Sequence, residues 1–137
     1  MEARSVLMKR IGWAALVLVA ALAALGRAQE KKPEPSPAAL EAFSVIDKGI
    51  AEAQAEEKAG VARGDELVSW YARRVRIARL MGDKEKLKAA LVANVEARKK
   101  FEAQMKERHE KGECTKGAVL QATFERAYAE TELERFE

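Results

Sequence analysis

The chain is poor in the residues that staple, stiffen or pattern other folds. Only one of its 137 residues is a cysteine, Cys114, so no internal disulfide can form and packing must hold the fold. That thiol is left for a contact within the chain or for a disulfide between chains, the latter favoured in an oxidising compartment. Histidine is equally scarce. His109 and Cys114 are the only soft metal-ligand pair, whereas a closed zinc site takes four ligands and a catalytic one three plus water, so no metal or other cofactor is expected. All three prolines fall at positions 33, 35 and 37, and none follows. The period-two alternation of Val, Ile and Thr that marks strands is missing too, which excludes a β-rich fold.

A surplus of charge of one sign is also lacking once the chain is divided. Of its 25 basic and 22 acidic residues, four basic and one acidic lie in residues 1–28, leaving 21 of each in the remainder. Phosphate binding needs cations gathered on one face, and here the signs are interspersed, so no nucleic-acid partner is expected.

At the N-terminus, Lys9-Arg10 precede an apolar run from Ile11 to Leu25, and Gly26-Arg27-Ala28 stands before Gln29. This order predicts a secretory signal peptide over 1–28, and a periplasmic or secreted location after its removal. The run is shorter than the roughly 20 residues of a membrane span, and no transmembrane segment is expected after it; retention as an anchor is the other outcome. Residues 29–37, Gln-Glu-Lys-Lys-Pro-Glu-Pro-Ser-Pro, predict a disordered tether. Residues 38–137 remain as the folded domain.

That domain is rich in Ala, Glu, Lys, Arg and Leu, an all-helical composition. A first helix is predicted from about 39 to 59, with Leu40, Phe43, Ile46, Ile50 and Ala53 on one stripe. Asp65 stands where an N-cap belongs, and a long pattern follows through Leu67, Tyr71, Val75, Ala78 and Met81, then Leu87, Leu91, Val95, Phe101 and Met105. Gly82-Asp83 interrupts it, but a glycine costs only about 1 kcal/mol inside a helix. One nearly continuous helix from 65 to 111 is therefore expected, roughly 70 Å long at 1.5 Å per residue. Lys111 to Thr115 supplies a reversal, with Gly112 at the helix end and Thr115 capping a last helix over 116–136. Val119, Leu120, Thr123, Phe124, Ala127, Tyr128 and Thr131 are expected to face back onto 91–109.

The predicted fold is thus all-α, an elongated, coiled-coil-like antiparallel helical hairpin with an additional N-terminal helix. Its arms are unequal. The stripe of Leu67, Trp70, Tyr71, Val75, Met81 and Leu87 stays uncovered unless the first helix or a second subunit lies over it, which makes those residues the candidate interface.

No catalytic arrangement stands out, and an enzyme is not expected. Glu56-Glu57 and Asp65-Glu66 are adjacent pairs without a cleft to space them; Ser44, Ser69 and Thr123 lack a positioned histidine. The glycines at 60, 64, 82, 112 and 117 follow no phosphate-loop spacing. Arg73, Arg74, Arg76 and Arg79 form one basic cluster and Arg98-Lys99-Lys100 another, but Glu96, Glu102 and Glu107 are interleaved for pairing along the helix. Trp70 reads as a packing anchor.

From Trp70 through Leu133, the chain shows Arg73-Arg74, Asp83-Lys84, Ala90-Leu91, Glu102, Lys111-Gly112-Glu113-Cys114-Thr115, Ala122, Phe124, Arg126 and Ala129-Glu130. In these residues it resembles short exported proteins of uncharacterised function from planctomycete-type bacteria. The turn and returning helix are also similar to the periplasmic hairpins of TolC-type outer-membrane efflux proteins. The resemblance implies Gly112 at the hairpin turn, Thr115 at the cap, Glu130 in the returning helix and a packing role for Cys114. A complete efflux channel is excluded, because no strand segments exist to close a membrane barrel. The function expected is that of an exported, non-enzymatic helical module of the cell envelope, binding a protein partner or a second copy of itself. The alternative is a periplasmic holdase or sensor taking transient ligands in an apolar groove.

Overall fold

A computed structural model describes residues 34–61 and 64–137. The expected signal peptide, 1–28, and the first part of the tether lie outside the described residues. Among those described, the chain is all-α and forms a bundle of four helices: α1 (Pro37–Lys58), α2 (Gly64–Leu80), α3 (Lys84–Glu110) and α4 (Lys116–Phe136).

Each helix begins or ends on chemistry visible in the sequence. The Ser36 hydroxyl accepts the Ala39 N–H at 3.2 Å and opens α1. Pro37, assigned to the tether, is instead the first helical residue, where its missing N–H costs no hydrogen bond and its fixed φ suits the turn. Asp65 lies within the first turn of α2 rather than capping it, where its charge still favours the helix N-terminus. Thr115 caps α4 by accepting the Ala118 N–H at 3.3 Å. At Gly112 (φ 74°) the chain leaves α3, with Glu113 N–H donating to the Arg108 carbonyl at 2.8 Å and Gly112 N–H to that of His109 at 2.9 Å.

The expected continuous rod from 65 to 111 does not form. Gly82 takes φ 68°, a left-handed conformation that ends α2, and the Asp83 side chain accepts the N–H groups of Glu85 and Lys86 to start α3. The reversal succeeds because of what it buries. In a straight rod the Val75, Ala78 and Met81 face would need a cover from elsewhere; folded back, these residues keep 4, 0 and 3 % of their surface. Burying one such Val or Met side chain is worth about 1.5–3 kcal/mol, more than the break costs with both ends capped.

Among the described residues, backbone contact runs only between sequence neighbours: α1 on α2, α2 on α3, α3 on α4. Side-chain bridges fix the directions. Arg74 meets Asp47 at 3.2 Å across α1 and α2, and Lys100 reaches back to Glu57 at 2.8 Å, so α1 and α3 run parallel with α2 opposed to both. One apolar cluster, Ile46, Ile50, Ala53 and Leu67, joins α1 to α2. A second, Val75, Ala78, Ala90 and Leu91, joins α2 to α3, with Phe43, Leu133 and Phe136 packed against it.

Candidate functional site

The stripe expected to be an interface is largely spent inside the chain. Leu67, Val75 and Met81 are buried. Trp70 and Tyr71 are half-buried against the α1–α2 cluster, and Leu87 against the α2–α3 cluster. Of the two covers open to this stripe, the first helix supplies one, and the fold-back at Gly82 adds α3. Trp70 lies so close to Gly49 that a Cβ there would stand 2.6 Å from its ring, and Arg73 stacks on that ring at 4.6 Å. Tyr71 accepts a hydrogen bond from the Gln54 amide at 3.0 Å.

The basic clusters are also largely engaged, and mostly between helices rather than along one. Arg79 bridges Glu132 at 3.0 Å, Arg98 bridges Glu125, and Lys99 meets Glu130 at 3.8 Å. Pairing along α3 is confined to Lys99–Glu96, Lys106–Glu102 and Lys111–Glu107.

The seam between α3 and α4 is built on a carboxylate. Glu102 is 6 % exposed and accepts hydrogen bonds from Thr123 Oγ1 at 2.9 Å and Arg126 Nε at 2.8 Å, with Lys106 Nζ at 2.8 Å. The Lys106 and Arg126 bonds hold its acidity near a pKa of about 2, from an ordinary 4.5, against the opposing pull of desolvation. Arg126 is raised in turn by Glu102 and by Glu130, which it meets at 2.5 Å. Sequence reasoning gave Glu102 only a partner along the helix, the place Lys106 takes, and missed its cross-helix role. Its signal was its spacing: Leu91, Val95, Glu102 and Met105 share one side of α3, so a carboxylate stood on the core stripe and required partners.

Those partners set the rotation of α4. To bring Thr123 and Arg126 onto Glu102, and Glu125 onto Arg98, the helix turns Ala122 and Ala129 toward α3, where they keep 3 % and 2 % of their surface. The expectation that Leu120, Phe124, Ala127, Tyr128 and Thr131 face back onto α3 is therefore wrong. All five are exposed, Leu120, Phe124 and Tyr128 by 59, 64 and 57 %. Phe124 and Tyr128 lie one turn apart, their ring centroids separated by 6.3 Å. Beside them a shallow groove of 580 Å³ runs over Leu87, Leu91 and Phe136.

The hairpin turn holds Gly112 and Thr115 in the places expected. Cys114 is half-buried, and its thiol donates to the Met105 carbonyl at 3.3 Å. His109 Nδ1 is 2.9 Å from the Cys114 carbonyl oxygen, so each of the two side chains is engaged by a backbone carbonyl. Among the described residues no group of three or more His, Cys, Asp or Glu is placed to hold a metal ion. No described helix is long and apolar enough to cross a membrane. No family model, curated protein or solved structure matches the chain.

Proposed function

We propose that the chain is an exported, non-enzymatic helical module of the cell envelope that works by packing its α3–α4 hairpin against a protein helix. The observation that carries this reading is the outward stripe of α4. Three large apolar side chains occupy the solvent side of a helix whose inner side is alanine, and such stripes are commonly interaction surfaces. The N-terminal pattern of Lys9-Arg10, an apolar run and a small-x-small triplet supports export.

Expression of the full chain with a C-terminal tag, followed by fractionation and intact mass, tests the export half. Loss of residues 1–28 with recovery outside the cytoplasm is expected; an intact cytoplasmic chain would overturn it. A second reading, a holdase-like chaperone, is favoured by the open groove over Leu87 and Leu91. Suppression of aggregation of an unfolded client, lost when Phe124 is changed to Asp, is the result that reading requires.

A further inference from the structure

Among the described residues, α2 and α4 lie on either side of α3 without backbone contact between them, and a furrow of 280 Å³ runs along that gap. Asn94 of α3 lines it, 5 % exposed, with Arg98 one turn further along the same helix. Neither polar atom of the Asn94 amide has a hydrogen-bond partner among the described residues: the oxygen is sealed from solvent, and the nitrogen is left toward the furrow. A buried amide in this state has given up water and gained nothing in return, so a group that meets it is favoured over solvent.

Three guanidinium groups line the same furrow. Arg79 is bridged to Glu132 and Arg98 to Glu125, so two of the cations are matched by two carboxylates of α4. Arg76 has neither a hydrogen bond nor an ion pair among the described residues. What is left over is one cation and one amide donor. That pair receives a single carboxylate, to which the planar guanidinium offers two parallel N–H bonds and the amide a third. A phosphate or sulfate dianion would bring a second charge toward Glu125 and Glu132 with no further cation to meet it. Val75 and Ala129 beside Asn94 are apolar and nearly buried, which suits a ligand whose body is carbon.

We propose that this furrow is a binding site for a small organic carboxylate, held by Arg76 and the Asn94 amide. The site goes beyond the packing role proposed above and does not depend on it.

Titration of the full chain with benzoate, followed by proton–nitrogen correlation spectra and by calorimetry, tests the assignment. The side-chain amide pair that Asn94→Ala removes should shift saturably with benzoate and stay in place with benzamide, which has the same shape and no charge. Arg76→Gln, a change at an exposed position, should weaken benzoate by about tenfold or more without lowering the melting temperature. Arg73→Gln, on the same helix but outside the furrow, should leave the affinity unchanged. Asn94→Ala should lose benzoate in calorimetry yet melt no lower than the parent, because the amide it removes is unpartnered. No saturable shift, an equal response to benzamide, or undiminished affinity in Arg76→Gln overturns the proposal, as does inorganic phosphate binding more tightly than benzoate. An Asn94→Ala chain that melts well below the parent overturns it too, since the amide would then be satisfied within the fold.

Discussion

Helices α2 and α4 both lie against α3, yet they meet it with opposite sides of their chemistry. On α2 the large apolar side chains Leu67, Val68 and Val75 point inward and are nearly lost from solvent. On α4 the inward residues are Ala122 and Ala129, while Leu120, Phe124 and Tyr128 point away. One helix is held by hydrophobic burial. The other is held along most of its length by a polar seam through Glu102, Arg126, Thr123, Arg98 and Glu125, with alanines that let the backbones come close, and only near its C-terminal end by Leu133 and Phe136 on the apolar cluster. The lesson is that hydrophobic content does not say which way a helix faces when a charged residue sits on the core side of its neighbour.

The sharpest way to break the comparison is to place the same charge on both helices. Val75→Asp buries an unpaired carboxylate between α2 and α3 and is expected to cost about 4 kcal/mol, or to unfold the chain, in urea denaturation followed by circular dichroism. The second expected effect is on the seam. Glu102→Ala removes an acceptor shared by three donors and should cost about 2–3 kcal/mol by the same measurement. Glu102 also predicts an acid limb. Its folded pKa near 2 lies below the ordinary 4.5, so its contribution is fully present above about pH 4.5 and is lost as pH falls from there toward 2; Glu102→Ala should flatten that part of a stability-versus-pH profile. A smaller loss, about 1 kcal/mol, is expected for Gly82→Ala, where a side chain must adopt φ 68° at the reversal that sets α2 against α3. The smallest is Phe124→Asp, which in dilute protein should stay within about 0.5 kcal/mol of the parent because the ring is 64 % exposed. A large loss there would mean that α4 is rotated from the position described.

What was legible in the sequence is what local chemistry decides. The helical class, the end of α3 at Gly112 and the cap at Thr115 each depend on residues within a turn of one another. Gly82-Asp83 carried the same kind of signal, a glycine followed by a capping residue, but the apolar period continued across it. Whether the chain ran straight or folded back depended on the Val75–Ala78 face meeting Ala90 and Leu91, a matter of tertiary packing that no periodicity reports. The burial of most of the candidate interface residues was hidden for the same reason, since their cover is supplied by other parts of the chain. The orientation of α4 was further from view. It follows from Thr123 and Arg126 reaching a carboxylate more than twenty positions earlier, and the apolar pattern of α4 taken alone points the wrong face inward.

That each helix rests on the one before it also bears on how the chain reaches its folded state. With backbone contacts among the described residues only between consecutive helices, the sequence separation of contacting residues is short there, and the loop-closure entropy to be met before any such contact forms is small. Such low contact order places folding in the microsecond-to-millisecond range typical of helical bundles. The α1–α2 pair has its own apolar cluster, so it can associate before α4 is available. A chain delivered from one end, through a ribosome exit or a translocation pore, can settle in the order in which it emerges.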